Sequence, residues 1–181
     1  FFSRINYSIG KKIFITGTLR ADGSSRFTKD NRWGYFPSGA VAYNLSEESF
    51  IKKQKVISDL KLRASYGITG QQDIGGFYPA LATYTTSTNA QQYLFNNSWF
   101  NIARPNGYDP NIKWETTSTY NFGIDYGFFK NRLFGSLDVY WRTTNDLLNR
   151  ISVPAGSNFT NIIETNIGSM KGNGIELALG G

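Results

Sequence analysis

The chain has neither cysteine nor histidine, so thirteen Asp and Glu side chains carry most of the acid–base chemistry open to it. That rules out a thiolate nucleophile, a disulfide and a Cys-ligated metal, and it removes the commonest general base and transition-metal ligand. Paired carboxylates remain, because glycoside hydrolysis needs only two Asp or Glu at a set separation. Glu47 and Glu48 are adjacent and diverge on either a strand or a helix. Asp125 and Asp138 share the polar parity of neighbouring strands and could approach each other, which is ordinary in a charged lumen. There is no phosphate-cradling glycine loop with lysine and no nucleophile elbow. The expectation is a protein without a catalytic site, cofactor or metal.

A second kind of chemistry is recognition by flat rings. Trp33, Tyr35, Trp99, Phe100, Tyr108 and Trp114 lie in or beside long polar segments rich in Asn, Gln and Thr. Aromatic faces flanked by amides suit sugar rings or peptides. The alternative is that these rings pack the loops together or sit in an interfacial aromatic girdle. The candidate ligand contacts are Trp33, Tyr35, Trp99, Phe100 and Arg104. Asp22-Gly23-Ser24-Ser25 is turn chemistry, and Arg26, Lys29 and Arg32 are expected to pair with Asp22 or Asp30 or to meet an anionic group. The net charge of +6 is spread along the chain, with one dense run at Lys52-Lys53-Gln54-Lys55, so nucleic acid is not the expected partner.

The elements that must position these residues are strands. From Leu60 to Gly70, Leu60, Leu62, Ala64, Tyr66 and Ile68 alternate with Lys61, Arg63, Ser65, Gly67 and Thr69. Side chains alternate faces along a strand, which gives one apolar and one polar face. Eight such steps span roughly 26 Å, or about 20 Å of height at a 40° tilt, close to the apolar band of an outer-membrane barrel. The same alternation predicts strands at Ser3–Gly10, Ile13–Arg20, Gly39–Ser46, Trp114–Tyr126, Leu133–Leu147 and Asn166–Leu179. A loop is expected over Ala21–Tyr35 and a short Ser-capped helix from Ser46 to about Ile57. Two long connections follow, at Gln71–Lys113 and Leu148–Thr165. No apolar run reaches the ~18 residues of a transmembrane helix, which leaves a barrel open. Mean hydropathy is −0.36 and aromatics make up 16 % of residues, which suits strands that are half polar. Turns that alternate between short and long are how outer-membrane barrels are wired. A soluble β-sandwich that binds carbohydrate would share the alternation, but less often the strand length and loop parity together.

Several segments then resemble the SusC/RagA family of TonB-dependent transporters of the outer membrane of Bacteroidota. They are Arg20-Ala21-Asp22-Gly23-Ser24-Ser25-Arg26-Phe27, Asn31-Arg32-Trp33-Gly34-Tyr35-Phe36-Pro37-Ser38, Leu60 to Gly67, Lys113-Trp114-Glu115-Thr116-Thr117, Asn131-Arg132, Thr144 to Leu148 and Gly168 to Glu176. The resemblance implies an outer-membrane nutrient importer for glycans or peptides, powered through TonB and capped by a SusD-like surface lipoprotein. It also implies a large barrel closed by an N-terminal plug, neither the plug nor a signal peptide being present in residues 1–181. The fold expected is therefore all-β, an antiparallel up-and-down meander. It forms a partial arc of that barrel, cut at both ends, with long extracellular loops. The soluble sandwich module is the alternative.

Overall fold

The computed structural model describes residues 1–54, 56–73, 75–86 and 92–181. Lys55 of the basic run, and residues 74 and 87–91 of the long connection, lie outside the described residues. The strands are β1 Phe2–Ile9, β2 Ile13–Gly23 and β3 Trp33–Asn44. A single 3-10 turn, Leu45–Glu47, and the one-turn helix α1, Ser49–Lys52, lead to β4 Ile57–Gln71. The long connection holds four short strands, β5 Tyr84–Thr86, β6 Gln92–Phe95, β7 Ser98–Asn101 and β8 Ala103–Pro105. Then come β9 Glu115–Phe128, β10 Leu133–Asn145, β11 Leu148–Ser152, β12 Ile162–Asn166 and β13 Ser169–Gly180.

Seven strands make one antiparallel sheet in the order β1-β2-β3-β4-β9-β10-β13. This is the expected meander, in a single layer; a sandwich needs two sheets packed face to face. The smaller pairs β5–β8, β6–β7 and β11–β12 are hairpins within the two long connections. Short turns alternate with long connections from β4 onward; before it, the β3–β4 connection, with its 3-10 turn and helix, is longer than the β2–β3 loop.

Register carries the alternation from strand to strand. One row across the sheet reads Ile9, Ile13, Tyr43, Leu62, Ile124, Leu137 and Leu177; the next reads Tyr7, Ile15, Val41, Ala64, Phe122, Val139 and Ile175. The intervening row on the opposite face is Ser8, Phe14, Ala42, Arg63, Gly123, Asp138 and Glu176. The apolar face is exposed or half-exposed over its whole width, with Ile175 at 73 %. Aromatics bound it. Tyr66 and Tyr120 stack at 4.6 Å beside Trp141 toward the long-loop end, and Tyr126 and Phe128 stack at 5.7 Å beside the short turn. Six to eight residues of β9 separate the two groups, about 20–26 Å along the strand.

Three expected elements are corrected. β3 begins at Trp33 rather than Gly39, because its pairing with β2 continues to Trp33–Gly23, so only Ser24–Arg32 is loop and Trp33 and Tyr35 lie in a strand. The helix is shorter than expected, because Ser46 does not cap it. The Ser46 hydroxyl instead accepts from the Leu60 amide at 2.6 Å and donates to Asp59 at 3.0 Å, tying the turn to β4. Asn44 caps the 3-10 turn by accepting from the Ser46 amide. The last strand starts at Ser169, after Gly168 at φ +80°, because Asn166 ends the β11–β12 hairpin.

A single-layer sheet has no interior, so the buried cluster forms where the long loops close over its end. Phe27, Phe36, Ala80, Ile112 and Trp114 make it, with Ile68 and Leu148 packed against it, and Ile112 is wholly buried. The Trp114 ring lies 5.3 Å from Phe27 and 5.4 Å from Phe36, and its indole N–H donates to Arg32 O. Gly34 and Gly70 leave the Phe36 ring space that a Cβ would occupy.

Candidate ligand-facing site

Polar chemistry gathers in two places, on the polar face of the sheet and in the loops. On the sheet, Arg63 on β4 donates from Nε and Nη2 to Asp125 on β9 at 2.8–3.2 Å, and from Nη2 to Asp138 on β10 at 2.9 Å. The two carboxylates meet through a guanidinium rather than as a free catalytic pair. Charge-assisted, bidentate bonds of this kind fix both partners in place.

The loops are locked together by side chain–backbone bonds. Asn166 accepts from the Lys113 amide at 2.8 Å and donates to the carbonyls of Lys113 and Asp146 at 2.9 and 2.7 Å, tying β12 to the strand β9 entry. Asn158 grips Tyr108 in the same two-way manner, accepting from its amide and donating to its carbonyl, and the Tyr108 ring lies 5.6 Å from Phe159. Thr165 donates to Asp109, and Glu115 accepts from the Leu148 amide at 2.9 Å. Arg26 pairs with Asp73 at 3.0 Å rather than with Asp22, which binds Arg20, or with Asp30. Asn31 donates to the carbonyls of Asn111 and Ile112.

Between these locked walls lies a cleft of about 530 Å³. One wall is the long connection, with Gly76, Phe77, Tyr78, Pro79, Thr83, Arg104 and Asn106. The other is the β11–β12 hairpin, with Arg150, Asn161 and Glu164. The walls touch at Gly107, where a Cβ would stand 2.6 Å from Ile162 O and 2.8 Å from Ile163 Cγ2. Tyr78 takes φ +57°, a left-handed conformation uncommon for an aromatic residue.

Of the five candidate contacts, only Arg104 lines this cleft. Trp33 and Tyr35 share the parity of Val41 and Tyr43, on the apolar face, and the Trp33 ring lies over Gly23. Trp99 and Phe100 are neighbours on β7 and so point to opposite sides of the β6–β7 hairpin; Phe100 packs on Tyr93 and Phe95, whereas Trp99 sits across from Leu94 and is 65 % exposed. Trp114 is core and Tyr108 is loop packing. Sequence reading missed Tyr78, Arg150 and Glu164. The run Gly75-Gly76-Phe77-Tyr78-Pro79 was a usable signal for the first, since glycines beside exposed aromatics mark an irregular loop. Arg150 and Glu164 carried none, because only the β11–β12 register sets them opposite each other.

Comparison with known proteins gives a consistent result. The family model described as TonB dependent receptor-like, beta-barrel matches residues 1–181. The chain is 45 % identical over 179 residues to the TonB-dependent receptor SusC of Bacteroides thetaiotaomicron, covering 99 % of this chain and 18 % of that protein. Among solved structures it matches the RagAB peptide importer in the closed-closed state with a TM-score of 0.85 and 35 % identity, over 98 % of this chain and 19 % of that one. The siderophore receptor PirA from Pseudomonas aeruginosa shares the fold, with a TM-score of 0.61 at 16 % identity over 98 % of this chain and 30 % of that one. The chain thus spans less than a fifth of the length of SusC and of the matched RagAB chain.

Proposed function

Because the chain belongs to the TonB dependent receptor-like β-barrel family, we propose that it forms part of the wall of an outer-membrane nutrient importer of the SusC type, whose cargo is an oligosaccharide or a peptide. The observation that carries this reading is the sheet's register. Rows of apolar side chains cross all seven strands on one face, bounded by two aromatic groups, and the charged side chains Arg63, Asp138 and Glu176 share a row on the other. In this reading the apolar face meets lipid, the polar face lines the lumen, the short turns are periplasmic and the long loops are outside the cell. The remaining strands and the plug belong to the rest of that protein. A SusD-like surface lipoprotein and TonB are its partners, and no chemical step is assigned to residues 1–181. The ligand-facing part is the Gln71–Lys113 connection, through Trp99, Phe100 and Arg104. Trp33 and Tyr35 serve at the edge of the apolar face instead, as interfacial rings.

The test uses the full-length gene in its own bacterium. Growth of a deletion strain on a panel of single polysaccharides and on peptide hydrolysate is expected to fail on one class and to be restored by the intact gene. Restoration with a version lacking Tyr93–Arg104 is expected to fail, with barrel insertion unchanged by heat-modifiability on gels. Undiminished growth of the deletion strain on every source would overturn the reading.

A further inference from the structure

We propose that the cleft between the long connection and the β11–β12 hairpin is a subsite for the carboxylate of an acidic ligand, gripped by Arg104 and Arg150. The two guanidinium groups come from different loops and line one cavity of about 530 Å³, a volume typical of ligand sites. Among the described residues neither Arg104 nor Arg150 has a carboxylate within ion-pair distance, and Glu164, opposite Arg150 in register, lines the same cleft. Glu164 offsets one of the two positive charges lining the cleft, so an incoming carboxylate meets one net positive charge and can take forked hydrogen bonds from the guanidinium groups.

The rest of the lining adds selectivity. Glu164 is half-buried, and its carboxylate occupies the space a Cβ on Gly76 would fill, so it is held in the wall. It accepts from hydroxyl or amide N–H groups next to the ligand's carboxylate and repels a second acid there. Tyr78, held in its left-handed conformation, and Phe77, 84 % exposed, supply apolar surface at the rim. The locks at Asn158, Thr165 and Asn166 keep both walls in place without ligand, which reduces the ordering cost of binding. Uronate-bearing oligosaccharides and acidic peptides share the chemistry this lining recognises, a carboxylate next to hydroxyl or amide donors.

This subsite deepens the importer reading and rests on it. The experiment is titration calorimetry on the purified full-length transporter in detergent, with trigalacturonate, triglutamate and maltotriose as probes. Trigalacturonate or triglutamate is expected to bind, and the one that does identifies the source of the carboxylate. R104Q and R150Q should each weaken that binding tenfold or more and flatten its salt dependence, and Y78G should weaken it without changing the salt dependence. Acidic-probe binding that survives R104Q/R150Q, maltotriose binding as tightly as the acids, or no binding of any probe would each overturn the subsite. Growth supported by the R104Q/R150Q gene separates the two failures. Growth as good as wild type, with probe binding unaltered, removes the subsite and leaves the importer, whereas indifference to deletion of the whole gene removes the importer.

Discussion

Arg63 and Asp138 sit on strands that do not pair, yet Arg63 Nη2 lies 2.9 Å from Asp138 Oδ2, across the whole width of β9. The contact passes over Gly123, the residue between them in the same row, where a Cβ would stand 2.5 Å from Asp138 Oδ1 and 2.7 Å from Arg63 Cζ. Gly123 is thus required by the bridge above it rather than by its own backbone.

Gly123→Ala should therefore break the Arg63–Asp138 arm while leaving Arg63–Asp125, and destabilise the barrel by about 1–3 kcal/mol, the usual cost of forcing a methyl group into a filled space. Urea unfolding of the full-length protein in detergent measures it. Gly123→Ala combined with Asp138→Ala should recover part of the loss, since the crowding oxygen is then gone. A G123A protein as stable as wild type would show that the bridge bends aside at no cost.

Leu137 and Ser136 are adjacent on β10 and belong to opposite faces of the sheet. Leu137 lies in the row midway between the aromatic groups, so Leu137→Arg should cost about 2–4 kcal/mol on folding into lipid vesicles. Ser136→Arg, beside Asp125 in register, should cost far less. The comparison is made by denaturant titration in vesicles, and equal costs would mean that the two faces are not lipid and lumen.

The short-turn end should loosen in acid. Glu48 is held below its ordinary value of 4.5 first by the hydrogen bond from Tyr43 and then by Lys12, and Glu47 by its bond to Lys52. A carboxylate depressed in the folded state lends stability above its ordinary value and loses it as the pH falls through the depressed one. Amide protection over residues 45–53 should thus be full at pH 7 and fall as the pH drops below 4.5. E47Q/E48Q should show the loosened state at both pH values.

The meander was legible because Leu60–Gly70 and its neighbours alternate without interruption, and period two admits one geometry. The position of the core was not. Phe27, Ile112 and Trp114 are as apolar as Leu62 or Ile175, and composition does not distinguish a ring buried under loops from an aliphatic chain facing outward. Trp33 and Tyr35 were placed in a loop because Asp22, Gly23 and Asn31 dominate the local turn signal, yet ladder pairing to β2 extends the strand through them. Arg104 is among the residues expected to touch ligand, but its partner in the cleft, Arg150, lies 46 positions further on and shares the cleft only through the docking of two loops.

The bond from the Asp109 amide to Pro79 O, 3.0 Å long, closes the base of the long connection beside buried Ala80 and Ile112. The tract between them, including β5 to β8, therefore begins and ends at one fixed point on the barrel rim. Such a tract has the physical character of a cassette: a change in its length or composition need not disturb the strands, because its stapled base holds both ends together. Thr83, Arg104 and Asn106 of the cleft belong to this tract, whereas Tyr78 just before it, and Arg150 and Glu164 on the opposite wall, do not. In the proposed importer, a change confined to this segment would then reshape the Arg104 side of the cleft while the opposite wall, and the sheet beneath it, stay as they are.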